Sequence, residues 1–108
     1  MSLVADLRAL SELFSEPSRR TTGVYARDAS GRSVEPQDPR AVCYCLIGGV
    51  ISVTEGIDSL RCHHLRESLR KALPESAGFS LAGFNDVAHH SQVLEVIALA
   101  LAKELEGA

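Results

Sequence analysis

The chain has 108 residues, the length of one ordinary domain, with a formal net charge of −3 and a hydrophobic fraction of 45%. The acidic balance argues against nucleic acid as the primary partner, because proteins that bind phosphate backbones carry a surplus of Lys and Arg. Three cysteines without a spaced framework predict free thiols in a reducing compartment. The longest apolar stretch, residues 41–53, is too short to cross a bilayer. We therefore expect one cytoplasmic helical domain over residues 1–108, with no membrane segment.

The first predicted helix covers residues 2–16, where Leu3, Leu7, Leu10 and Phe14 recur at helical spacing. Ser2 can cap it, and Pro17 ends it. Residues 17–40 have three prolines and no helical period. Within them, the four residues 28–31, Asp-Ala-Ser-Gly, have the signature of a type I turn. They predict a short β-hairpin with strands near 24–27 and 32–35.

The second predicted helix is the central one. Asp38 is the expected N-cap and Pro39 the first helical residue. Residues 41–53 are apolar on every face, which is typical of a helix that is buried on all sides. Gly48 and Gly49 weaken a helix by about 1 kcal/mol each, so they indicate close approach by a neighbouring element.

Two further helices complete the prediction. The third is expected to be capped by Asp58 and to end before Pro74, and residues 74–90 are expected to form a loop. The last helix is expected to follow an N-cap at Ser91. Its predicted core stripe consists of Leu94, Ile97, Ala98, Leu101 and Leu105. The fold class is therefore mainly α, with about four helices around a central apolar helix and a short β-hairpin between helices 1 and 2.

One group of residues could support catalysis. Asp86, His89 and His90 share a helical face if a helical turn begins at Asp86, and a carboxylate can orient a histidine for general base work. A helix start or turn after Gly83-Phe84 would equally use the side chains of Asn85 and Asp86 to accept backbone N–H groups. The sequence favours this structural interpretation and leaves the catalytic one open.

Cysteine and histidine side chains offer a possible metal site. Residues two apart on a helix point about 200° apart, so Cys43 and Cys45 cannot bind one ion there. Cys62 lies on the predicted core stripe of the third helix, whereas His63 and His64 point away from it. We predict no metal and no cofactor. The alternative is a site made by Cys62, His63 or His64 together with His89 or His90.

The remaining candidates are binding residues. Tyr25 and Arg27 lie on the predicted hairpin, where they can contact an acidic partner or form part of a solvated face. Phe84, Asn85 and Asp86 are expected to line a pocket beside the last helix.

Several segments in order resemble a family of small bacterial proteins of unknown function, DUF6197. They are Gly23-Val24-Tyr25-Ala26-Arg27-Asp28 with Gly31, the run from Pro39 to Gly49, Gly83-Phe84-Asn85-Asp86, and a closing apolar helix. Phe84 stands where the family has Trp, and Gly49 stands where Ala is usual. The resemblance implies a bacterial cytoplasmic protein and supplies no activity.

Three functions remain open from the sequence. We expect a non-enzymatic interaction or regulatory module, because catalytic signatures are absent and two apolar helices, 41–53 and 92–105, can support a homodimer. The second is a small hydrolase or transferase that uses Asp86 with His89 or His90. The third is a metal-binding domain.

Overall fold

The computed structural model describes residues 2–78 and 80–107, which are mainly helical as predicted. These described ranges contain five α-helices: α1 (Leu3–Leu13), α2 (Leu46–Thr54), α3 (Leu60–Ala72), α4 (Leu81–Val87) and α5 (His90–Glu106). Single 3-10 turns cover Pro17–Arg19 and Glu75–Ala77. Between α1 and α2, β1 (Ala26–Asp28) and β2 (Ala41–Tyr44) form a two-stranded antiparallel sheet. Among the described residues, no helix is both long enough and apolar enough to span a bilayer.

The helices enclose one hydrophobic cluster. The long helix α5 packs against α1 and α3, and α2 packs against α1, α3 and α4. The predicted core residues Leu7 and Leu10 of α1 and Phe14, its C-cap, are fully buried. Burying a side chain of this size contributes roughly 1.5–3 kcal/mol, so each such residue is a substantial part of the stability.

One buried ion pair joins three helices. Asp6 on α1 is 4% exposed and accepts from Arg61 on α3, at 2.7 Å from Nη2 to Oδ1 and 3.2 Å from Nε to Oδ2. Nη2 of Arg61 also donates to the carbonyl of Val53 in α2 at 3.3 Å. This bidentate geometry compensates the carboxylate for its loss of water.

The sheet corrects the predicted hairpin. The turn at residues 28–31 forms as expected, with the Gly31 N–H 3.0 Å from the Asp28 carbonyl and φ of +87° at Gly31. The expected return strand, 32–35, does pair with β1, through an isolated bridge between Ser33 and Arg27 and through hydrogen bonds from the Asp28 N–H to the Arg32 carbonyl at 2.9 Å and from the Val34 N–H to the Ala26 carbonyl at 3.0 Å, but it does not form a regular strand. The ladder partner of β1 is instead residues 41–44, because the β-branched and aromatic side chains Val42 and Tyr44 suit a strand.

The central helix therefore starts later than predicted. Asp38 does not cap it. Its carboxylate accepts from the backbone N–H of Arg40 at 2.8 Å and from the guanidinium at 2.8 and 3.1 Å, within a local turn. Cys45 is the observed N-cap of α2, and its Sγ accepts from the Gly48 N–H at 3.2 Å. The apolar run is thus divided between a strand and a nine-residue helix.

A helix also lies within the predicted loop 74–90. Ser80 caps α4 by accepting from the Gly83 N–H at 2.9 Å. Seven residues that include a glycine carry too little periodicity to stand out in sequence. The N-cap of α3 is Ser59 rather than Asp58, and that of α5 is His89 rather than Ser91.

The last helix is turned relative to its predicted stripe. Its buried residues are Val93, Val96, Ile97 and Ala100. Ala98 and Leu105 are exposed, contrary to expectation. Ile97 is buried as predicted, and Leu94 and Leu101 are partly buried against the core, so the buried face is displaced from the predicted one rather than opposite to it. Because α5 is apolar on most of its circumference, periodicity alone does not fix its buried face, and packing against α1 and α3 does.

The two glycines of α2 mark close approaches, as predicted. A Cβ on Gly48 would lie 1.9 Å from the Tyr25 carbonyl oxygen, and one on Gly49 would lie 2.6 Å from the Phe14 ring. The Tyr25 carbonyl also accepts from the Cys45 N–H at 3.1 Å. The chain before β1 thus lies directly on the first turn of α2.

We expect Gly48→Ala to lower the free energy of unfolding by about 2 kcal/mol or more, because the backbone carbonyl has no room to move and the clash outweighs the gain in helix propensity. Ser52→Ala, also in α2, is the control and should change stability by less than about 0.5 kcal/mol. Urea denaturation followed by circular dichroism measures both. Equal stability of the two variants contradicts the close approach.

Hydrogen bonds from the Arg40 side chain and then from its backbone N–H lower the pKa of Asp38 from 3.8 to about 2. Because folding lowers the pKa of Asp38, its ionised carboxylate stabilises the folded state at pH values above its ordinary pKa of 3.8. This stabilisation is lost as the pH falls toward 2. We expect Arg40→Gln to raise the pKa of Asp38 but leave it below 3.8, since the backbone donor remains. A carboxyl carbon NMR titration measures this, and an unchanged pKa refutes the attribution to the guanidinium.

Candidate functional site

A small pocket brings together three of the predicted binding residues. Its volume is about 170 Å³, and it lies between the chain before β1, the start of α2 and α4. The lining residues are Gly23, Val24, Tyr25, Cys45, Ala82, Asn85 and Asp86. We call it the Tyr25–Asp86 pocket. The sequence did not predict Cys45 and Gly23 as part of this pocket. Only the tertiary structure brings the chain before β1 and the start of α2 next to α4.

Asn85 serves the architecture of this pocket. It is 1% exposed, and its Nδ2 donates to the Thr21 carbonyl at 3.0 Å. Its Oδ1 accepts from Nη1 of Arg20 at 3.3 Å, and the same nitrogen donates to the Asn85 carbonyl at 2.7 Å. Nη2 of Arg20 donates to the Ala88 carbonyl at 2.9 Å. These bonds, which we call the Arg20–Asn85 clamp, fasten the segment before β1 onto the end of α4.

Asp86, the next residue, has no such structural role. It is exposed, and within residues 2–78 and 80–107 its carboxylate makes no hydrogen bond or ion pair. Its charge acts on Cys45, whose thiol is 7% exposed. Burial raises the pKa of Cys45, and the negative charge of Asp86 adds to this effect while the N–H groups of Gly48 and Ile47 oppose it. The thiol is therefore a neutral part of the pocket surface at neutral pH.

The predicted catalytic histidines lie on a different helix from Asp86. Because α4 ends at Val87 and α5 begins at His90, the three residues do not share one helical face. His90 places Nε2 at 2.7 Å from the Phe14 carbonyl, and its buried Nδ1 has no partner in the described part of the chain. His89 is exposed at the N-cap of α5, where its backbone N–H donates to Gln92 Oε1 at 2.8 Å. A catalytic role for Asp86 with His89 or His90 stays a prediction.

The metal-ligand candidates are spread over separate environments. Cys62 is fully buried in the core, whereas His63 and His64 are exposed on α3 with their ring centroids 5.9 Å apart. Cys43 lies on β2 and Cys45 caps α2. Across the described ranges, no three His, Cys, Asp or Glu residues are grouped so that they could hold a metal ion.

The two predicted hairpin residues differ in their availability. The side chain of Arg27 donates to Thr21 Oγ1 at 3.0 Å and to the carbonyls of Gly31 and Thr22 at 3.0 and 3.2 Å. These bonds hold the loop around the turn. Tyr25 is 46% exposed and remains accessible to a ligand.

A second concavity, lined in part by Phe84, lies between the end of α3 and α5. We call it the α3–α5 groove; its volume is about 350 Å³. The lining residues are Lys71, Ala72, Leu73, Pro74, Phe84, Gln92, Glu95, Val96, Leu99 and Lys103. Nζ of Lys103 donates to the Lys71 carbonyl at 3.1 Å, which joins α5 to the end of α3 at the rim. Leu99 was not predicted as a site residue, although a leucine between Glu95 and Lys103 at helical spacing was a visible signal.

We expect Asn85→Ala to lower the free energy of unfolding by about 2 kcal/mol, because the Thr21 carbonyl loses its donor in a buried position and Arg20 loses one of its three acceptors. Asp86→Ala changes the adjacent, exposed residue and should cost less than about 0.5 kcal/mol. Urea denaturation of both variants tests this division of roles. If Asp86→Ala costs as much as Asn85→Ala, the clamp is not what makes this pair of residues structurally important.

Comparison with known proteins places the chain in a family without assigning it an activity. No curated protein and no solved structure matches the chain. A model described as "Family of unknown function (DUF6197)" matches residues 1–103, which include every residue that lines the pocket and the groove. The family assigns no activity to either site. As the sequence resemblance predicted, the chain belongs to the DUF6197 family.

Proposed function

We propose that the protein is a non-enzymatic interaction module that acts as a homodimer, with two copies joined through the α3–α5 groove. The observation that carries this proposal is Leu99, which is 47% exposed on the wall of the groove. The other apolar lining residues are Ala72, Leu73, Pro74, Phe84 and Val96. A large exposed aliphatic side chain beside an apolar concavity is typical of a protein contact.

A second copy of the chain fits this groove because the patch contains both the projecting side chain and the concavity. A twofold axis places the same surface of each copy against the other, so Leu99 of each copy can enter the groove of its partner. The groove volume of about 350 Å³ accommodates a leucine side chain with room for neighbouring atoms.

The charges around Leu99 are self-complementary. Glu95 and Lys103 are exposed, and each lies four residues from Leu99 on α5, in opposite directions. When two copies of α5 pair antiparallel about Leu99, Glu95 of one copy faces Lys103 of the other, twice by symmetry. Exposed ion pairs contribute little affinity, so these pairs fix the register while burial of Leu99 supplies the binding energy.

The single hydrophobic cluster supports treating residues 1–108 as one domain. Cys43, Cys45 and Cys62 are all free thiols, which supports a reducing, cytoplasmic compartment. The bacterial setting rests on the family resemblance.

We expect the protein to sediment as a dimer and Leu99→Glu to convert it to a monomer, because a carboxylate would be buried in the apolar groove of the second copy. Leu105→Glu is the matched control: Leu105 lies on the same helix and is 50% exposed, but it does not line the groove. Sedimentation velocity over a range of concentrations measures both variants. A monomeric parent protein, or equal dissociation by the two variants, contradicts this interface.

Charge reversal tests the register. We expect Glu95→Lys and Lys103→Glu each to weaken the dimer, because each places like charges opposite one another at positions 95 and 103. The double variant Glu95→Lys/Lys103→Glu should restore the dimer, because opposite charges then face each other again. The magnitude should be about threefold to tenfold in the dissociation constant for each single variant. Additive weakening in the double variant refutes antiparallel pairing about Leu99.

A further inference from the structure

The Tyr25–Asp86 pocket has a charge that the protein does not neutralise. Of the residues that line it, Asp86 is the one with an ionised side chain at neutral pH, since Cys45 is held neutral by burial. In the described part of the chain the Asp86 carboxylate has no hydrogen-bond donor and no cationic partner. A carboxylate of this kind at the edge of a pocket attracts a cation.

Two arginines beside the pocket walls, Arg20 and Arg27, make hydrogen bonds that do not involve Asp86. Arg20 donates to the carbonyls of Asn85 and Ala88 and to the Asn85 amide oxygen. Arg27 donates to Thr21, Thr22 and Gly31. Neither guanidinium lines the pocket. Their hydrogen bonds stabilise the segments that form its walls.

The rest of the pocket suits the apolar part of a ligand. Val24 and Ala82 contribute aliphatic surface, and the neutral thiol of Cys45 contributes soft, polarisable surface. Tyr25 lines the same pocket with nearly half of its surface exposed, and an aromatic ring is a favourable neighbour for an organic cation.

The size of the pocket limits the ligand. Its volume of about 170 Å³ is close to that of a cavity that encloses one benzene molecule, roughly 150 Å³. We propose that the Tyr25–Asp86 pocket binds a small organic cation, a protonated amine with about six to eight non-hydrogen atoms, whose ammonium group pairs with Asp86 and whose hydrocarbon part lies against Val24, Tyr25 and Cys45. This site is separate from the α3–α5 groove and does not depend on dimer formation.

The test is a titration of the ¹⁵N-labelled protein with cyclopentylammonium chloride at low salt, followed by amide NMR shifts. Cyclopentanol, which has the same ring and no charge, is the ligand control. We expect saturable shifts at Gly23, Cys45 and Asp86 with the amine, and affinity for cyclopentanol weaker by about tenfold or more.

Two variants complete the experiment. Asp86→Asn keeps the shape of the side chain and removes its charge, and we expect it to weaken amine binding by about tenfold or more. Glu12→Gln removes the same charge from an exposed position on α1 and should leave binding unchanged. Equal weakening by the two variants would show attraction to the acidic protein as a whole and overturn the proposal. So would equal binding of the amine and the alcohol, or the absence of saturable shifts.

Discussion

The contact on which the other features depend is that between Gly48 and the Tyr25 carbonyl. The carbonyl oxygen occupies the space where a Cβ on Gly48 would stand, and it also accepts the N–H of Cys45 at the start of α2. An irregular segment with few apolar residues has little hydrophobic burial to hold it in place, so it needs a close and directional attachment. This contact brings the segment before β1 onto α2, and the Arg20–Asn85 clamp fastens its other end to α4.

The two concavities follow from this arrangement. The pocket lies where the segment at Gly23 and Tyr25 is attached to α2 at one end and to α4 at the other, beside Cys45. The groove lies where the chain leaves α3 at Leu73 and Pro74 beside α5, with the hydrogen bond from Lys103 to the Lys71 carbonyl at its rim. Phe84 lines the groove and Asn85 lines the pocket, so α4 separates the two. A ligand in one and a second copy at the other would therefore act on the same short helix.

Adjacent residues in the segment 83–86 have different roles. Asn85 is buried and hydrogen-bonded to the chain before β1, and its amide satisfies polar groups that would otherwise be costly in the interior. Asp86 is exposed and has no partner among the described residues, so it is available for a ligand. The predicted structural role, in which both side chains accept backbone N–H groups at a helix start, is wrong, because Ser80 caps α4. Asn85 is structural in another way: its side chain donates to the Thr21 carbonyl and accepts from Arg20. The motif therefore combines Asn85, which stabilises the fold, with Asp86, which faces solvent.

By itself the sequence determined the mainly helical class, the core face of α1, the turn at residues 28–31, the close approach at Gly48 and the family. These depend on local periodicity, capping and backbone freedom, which neighbouring residues specify. Only the tertiary structure decided that residues 41–44 form a strand, which face of α5 is buried and that Cys45 lies beside Asp86. Strand pairing joins distant residues, and a helix that is apolar on most sides fits several orientations, so packing against the other helices makes the choice.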